Sequence, residues 1–162
     1  MQSRVDYHKL SPGGYKAMLG LEHYLGSSTL EKGLLHIIKL RVSQLNGCAF
    51  VATCIGKTLR RKVKMGSACT RSMPGARLRS TRKRNAPRWR GAEAVTNVTE
   101  GHVPDEVYEE TREHFSEPEL ADLTLALVTI NAWNRLSIAF RVVPGTYQVP
   151  QKLGKETMKS GT

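Results

Sequence analysis

The chain has 162 residues, a mass of 18.0 kDa, 40% hydrophobic residues and a formal net charge of +11. That length suits one domain with its own core, and that composition excludes wholesale disorder. No apolar run is long enough for a membrane span, Met1 to Lys9 is too polar for a signal peptide, and three cysteines do not make a disulfide scaffold, so the expectation is a cytoplasmic protein.

Ser11-Pro12 starts a helix whose apolar stripe is Tyr15, Met18, Leu19, Leu21 and Leu25, with Gly26 placed to end it. Ser28 and Glu31 have the spacing of a capping box. The helix they introduce carries Leu30, Leu34, Leu35, Ile37, Ile38, Val42 and Leu45. It is apolar over much of its circumference, which predicts a central place in the core. Asn46-Gly47 ends it, because both residues tolerate the left-handed conformation.

From 51 to 91 the pattern breaks. Lys57 to Arg90 holds 13 of the 25 basic residues, and no acid occurs between Glu31 and Glu93. The rest of the chain, with 12 basic and 14 acidic residues, is mildly acidic. Ile55, Leu59, Val63, Met65, Leu78 and Trp89 fit neither helical nor alternating spacing for long, so no ordered element is expected there.

Helix signals return at Pro104, a candidate N1 proline, with Asp105 and Glu106 suited to the positive end of a helix dipole. Ser116 and Glu119 repeat the capping-box spacing ahead of a long apolar run from Leu120 to Phe140. Asn131, Asn134 and Arg135 interrupt that run and need partners if buried, as helix or subunit contacts. Residues 1–150 read as one all-α domain, and the polar end, 151–162, as a flexible tail.

Lys39-Leu40-Arg41-Val42-Ser43-Gln44-Leu45-Asn46-Gly47-Cys48-Ala49-Phe50 resembles the carboxymuconolactone decarboxylase-like family, in its alkylhydroperoxidase D-like (AhpD-like) branch. Glu93-Ala94-Val95-Thr96, Val103 to Tyr108 and Ile130-Asn131-Ala132-Trp133-Asn134-Arg135 agree with it. The resemblance implies a compact helical domain assembled as a homotrimer or hexamer. It also implies peroxide reduction by a cysteine pair in C-x-x-C-x-x-x-H, with a thiol reductant as partner and no metal, flavin or haem. In that pattern the second cysteine attacks the peroxide and the first resolves the sulfenic acid to a disulfide. A helix N-terminus favours the thiolate, and a histidine one turn on can take the proton. Cys48 fills the first cysteine position, and His36 fills the relay position twelve residues before it. Val51 stands in place of the second cysteine and Ile55 in place of the histidine, while Cys54 and Cys69 are at the wrong spacing to substitute. The bland readings stay open: Cys48 as a structural core thiol, and His36 as a satisfied core histidine.

The resemblance stops at Phe50 and resumes at Ala92 with no change in length, as loss and regain of one base would produce. Read one base out of register, position 51 permits cysteine, 53 aspartate and 54 methionine, while 55 permits only tyrosine or histidine. Shifted reading of a GC-rich gene also yields arginine-rich, acid-free text. If the written text is what is made, the expectation is an inactive two-cysteine cycle and poor folding, since core helices would be lost. Two other functions remain: a lactone decarboxylase of the same superfamily, which the cysteine flank disfavours, and a nucleic-acid-binding module using the basic block. Trp89 is the only aromatic of that block, too few for single-strand stacking.

Overall fold

The computed structural model describes residues 2–64 and 86–145, with side chains over 2–60 and 88–145. Cys69, the middle of the basic block and the 151–162 tail lie outside the described residues. Among the described residues every regular element is helical: α1 (Tyr7–Leu10), α2 (Pro12–Ser27), α3 (Lys32–Leu45), α4 (Ala49–Lys64), α5 (Ala86–Thr96), a 3-10 turn (Val98–Glu100), α6 (Asp105–Arg112) and α7 (Glu117–Ala139). No helix among them is long and apolar enough to cross a membrane.

The helix predicted to be central is so. α3 packs against α4, α7 and α5, and α2 packs on α7. Ile38 and Val42 of α3 are fully buried against Leu123, Leu127 and Ile130 of α7, with Leu25 of α2 and Ala92 of α5 completing the core. Gly91 sets how closely α5 meets α6, because a Cβ there would lie 2.5 Å from the Thr111 hydroxyl.

The polar interruptions of α7 are the seam between helices. Asn131 Oδ1 accepts from Asn46 Nδ2 at 2.9 Å and from Arg135 Nη1 at 2.8 Å. Its Nδ2 donates to the Leu127 carbonyl at 2.9 Å and reaches Thr96 Oγ1 at 3.4 Å. Asn134 is fully buried, and its Nδ2 donates to the Ile130 carbonyl and to Ser43 Oγ across the α3–α7 contact.

Several local expectations are corrected. The Ser28–Glu31 capping box does not form. Glu31 is the N-cap of α3 without a side-chain bond, and Ser28 Oγ instead donates to the Leu25 carbonyl at 2.9 Å, capping the end of α2. α2 runs one residue past Gly26. Pro104 is the N-cap of α6 rather than its first residue. The second box does form, with the Glu119 carboxylate accepting from the Ser116 N–H at 3.0 Å and the Ser116 hydroxyl at 2.8 Å. This holds the Glu119 carboxyl below the usual carboxylate range.

The largest correction concerns the basic block. Its two ends are helical, as α4 and α5, and both pack on the core. Val51, Ile55 and Leu59 are spaced by four and fall on one face of α4, with Val51 and Leu59 buried and Ile55 packed against the core. The arginine and lysine density hid this stripe. The described residues therefore keep a continuous core despite the expectation of lost helices. Replacing Ile38 with alanine is expected to lower stability by about 2–5 kcal/mol, and Ser116→Ala by about 1 kcal/mol, both measured by urea unfolding.

Candidate functional site

The site begins where α3 stops. The Asn46 N–H returns to the Val42 carbonyl at 3.0 Å, and Gly47 takes a φ of 65°. That left-handed residue reverses the chain without a Cβ clash. The Cys48 N–H then bonds back to the Ser43 carbonyl at 2.8 Å, and its own carbonyl accepts the Ala52 N–H at 3.1 Å. Cys48 thus sits at the N-cap position of α4, with its sulfur beside the Val51 and Phe50 N–H groups and the Ser137 hydroxyl.

Two opposing effects act on that sulfur. Burial, with only 3% of Cys48 exposed, pushes the thiol above its ordinary value. The helix-start N–H groups and the Ser137 hydroxyl favour the thiolate but do not overcome desolvation. Cys48 is a neutral thiol at neutral pH. Cys54, further along α4, is half-buried, and burial pushes it up to about 11 against the favourable charge of Lys57.

In front of Cys48 lies a cleft of about 540 Å³ between α2, α3, α4 and α7, under the α1 segment. Its walls include Tyr15, Leu35, His36, Val51, Ile55 and Trp133. Tyr15 meets Trp133 edge-on at 5.7 Å and His8 at 4.5 Å, closing one end with rings. Burial pushes the neighbouring Tyr7 phenol up to about 12. At the opposite wall Lys39 Nζ meets Glu22 Oε2 at 2.6 Å, tying α3 to α2.

His36 lies on the α3 wall, half-buried, with Nδ1 against the Lys32 carbonyl. A carbonyl only accepts, so Nδ1 carries the proton and the Nε2 position bears the lone pair of the neutral ring. The structure brings His36 and residues 51 and 55 to one cleft. Cys48 itself is not on the cleft surface and lies in the layer behind, against Ser137. Sequence reading missed Ser137, Tyr15 and Trp133 as cleft residues, because each sits inside an apolar helical stripe that reads as core. Among the described residues Cys48 and Cys54 are unbridged, and no three His, Cys, Asp or Glu side chains converge as a metal site needs.

An all-α body with a helix-capping cysteine behind a mixed cleft defines the class as the AhpD-like helical proteins. Comparison supports that class. YdfG of Bacillus subtilis (strain 168), an uncharacterized protein, is 36% identical over 144 residues, spanning 86% of this chain and 95% of that one. A crystal structure from Agrobacterium tumefaciens, ATU0492, is of a protein of unknown function described as a candidate antioxidant defence protein AhpD. It matches with a TM-score of 0.73 and 32% identity, covering 90% of this chain and all of that one. No protein-family model matches the chain. The chain belongs to the AhpD-like family.

The Cys54 thiol gives a pH test. Its folded value lies above the ordinary 9.0, so the unfolded chain loses this proton first as pH rises. The associated stability is full below pH 9.0 and is lost as pH approaches about 11. Melting temperature is expected to fall across that window, and Cys54→Ala to flatten the fall.

Proposed function

We propose that the chain is by descent a thiol-dependent peroxidase of AhpD type, and that turnover in the written sequence is stopped at position 51. The observation that carries this reading is the common cleft of His36 and residues 51 and 55, directly in front of a thiol at the N-cap of α4. In the family cycle a thiolate takes one peroxide oxygen to become a sulfenic acid and releases the alcohol. The second thiol then displaces water to form the disulfide, and an external dithiol restores both. A thiol at 51 stands in the first turn of α4, where backbone N–H groups favour its anion, and an imidazole at 55 is one turn further on the same face.

As written, Val51 supplies no sulfur and Ile55 moves no proton. Cys48 can be oxidised, but Cys54 is six residues on, about 9 Å along the helix axis, beyond disulfide reach. The substrate is a peroxide, the partner a dithiol reductant, and the site asks for no cofactor. Self-association, as a trimer or hexamer, is supported by the exposed apolar residues Leu125, Val128 and Ile138 of α7.

The Val51→Cys, Ile55→His double variant is expected to consume cumene hydroperoxide with dithiothreitol about 10²-fold faster than the written chain, the scale of general acid–base assistance. A folded double variant with no gain removes the peroxidase reading. The frame-slip reading has its own test, tryptic mass mapping of natively expressed protein. The expected peptides carry cysteine at 51 and histidine at 55, and recovery of the written Arg-rich peptides instead overturns it.

A further inference from the structure

The segment from Ser3 to Leu10 covers the cleft while holding to the body by very little. Tyr7 and His8 line the cleft. From residue 2 to residue 20 Tyr7 alone is buried, with 7% of it exposed. Its ring stacks on Phe140 at 5.5 Å and meets Tyr15 edge-on at 6.3 Å, and His8 meets Tyr15 at 4.5 Å. The ion pairs of the segment, Asp6 with His8 and Asp6 with Lys9, are internal to it. Val5 and Leu10 are exposed.

The two ends of the segment differ in kind. One is tied to the last turn of α7, whose carbonyls lack helical partners. The Arg4 N–H donates to the Phe140 carbonyl at 2.9 Å, Arg4 Nη1 to the Ala139 carbonyl at 3.2 Å, and the Ser3 hydroxyl to the Phe140 carbonyl at 3.2 Å. Ser3 and Arg4 are both exposed, so water replaces these bonds at little cost. The other end is a joint. Ser11, at φ −130° and ψ 64°, separates α1 from α2, and Pro12 disfavours a helical conformation for the residue before it. Gly13 and Gly14 follow, without side chains to stiffen the start of α2. Residues at the end of an element are where a hinge absorbs its change of dihedral angles.

We infer that the segment from Ser3 to Leu10 is a hinged strap over the cleft, with Ser11 to Gly14 as the hinge and the Tyr7 ring as the latch, and that it swings off α7 as one unit to open the cleft. This deepens the peroxidase reading and rests on it in one respect, that the cleft is where reactants enter. An element held by a few rings and three hydrogen bonds from exposed residues opens far more often than the packed helices unfold. Cys54 reports the opening from inside. It lines the cleft, and Tyr7 is close enough to Cys54 and Cys48 for charge on either sulfur to act on its phenol.

The test uses the full written chain and two readouts. One is amide hydrogen exchange by NMR. The other is alkylation of Cys54 by the bulky reagent N-(1-pyrenyl)maleimide, resolved by peptide mass spectrometry. The Arg4, Leu10 and Ser11 amides are expected to share one protection factor, well below that of Ile130 in α7. Tyr7→Ala is expected to speed exchange at all three, and alkylation of Cys54, by about tenfold or more, the scale of lost aromatic contacts. Tyr7→Phe keeps the ring and is expected to change neither. Arg4→Pro acts away from the cleft, at an exposed residue, by removing the bonds to α7. It is expected to speed Leu10 and Ser11 exchange and Cys54 alkylation together by about fivefold, the scale of one or two exposed hydrogen bonds. Cys54 alkylation that rises in Tyr7→Ala but not in Arg4→Pro shows a ring that merely shields the sulfur, and overturns the inference. Unequal protection of the three amides overturns it too, as does Ile130 exchange that accelerates equally with theirs in both variants. Failure of the Val51→Cys, Ile55→His variant to turn over removes the peroxidase reading and leaves these exchange and alkylation results standing.

Discussion

The bond between Asn46 and Asn131 fixes the relation between the end of α3 and the middle of α7, and the site follows from it. Asn46 is the last residue before the left-handed turn at Gly47, so its position decides where α4 starts. Asn131 holds it with an amide whose remaining capacity is spent on Leu127, Thr96 and Arg135. One buried side chain therefore joins α3, α5 and α7. A network this fully used is rigid, because loss of any member leaves a buried donor or acceptor unpaired at a cost of about 1–3 kcal/mol. The cleft inherits that rigidity on its α3 and α7 walls, whereas the α1 side is held mainly by ring contacts.

The same junction explains why the cysteine is chemically quiet. A helix start stabilises a thiolate only where the sulfur also keeps some contact with water or a counter-charge. Cys48 has the helix start but is enclosed by α7, and enclosure dominates. Residue 51, three positions on, meets the same N-terminal field from the cleft side. The two positions therefore differ in exposure to the cleft: Cys48 is sheltered behind it, and Val51 lines it. The physical difference is which side of α4's first turn each occupies.

How much of this could be read from the letters depended on the kind of signal. α3 was legible because seven apolar residues at helical spacing cover much of its circumference, which predicts a central place. α7 was legible through Ser116 and Glu119, which form the expected cap, and through a long apolar run whose asparagines proved to be packing contacts. The Ser28–Glu31 spacing misled because Ser28 is taken first by the end of the preceding helix, a local competition that spacing does not reveal. α4 was missed because its lysines and arginines dominated the composition, although Val51, Ile55 and Leu59 keep a strict period of four. Cys48 and His36 were found through the resemblance. Ser137 left no trace in the sequence, since it sits inside an apolar helical stripe and meets Cys48 only in the fold.

That period of four also explains how α4 keeps a core-facing side among the described residues whatever chemistry its cleft wall carries. Positions 51, 55 and 59 must all face inward for α4 to dock on α3, whatever side chains they carry. Cysteine and histidine at 51 and 55 would present chemistry on that face, and valine and isoleucine present hydrocarbon of similar bulk. Burial of apolar surface contributes about 25 cal/mol per Å², so valine and isoleucine at these positions favour docking while offering neither a nucleophile nor a proton acceptor. Fold and reaction draw on the same helix face, and the fold needs only its periodicity. The cleft wall at positions 51 and 55 is hydrocarbon, and the helix that carries it docks by that same face.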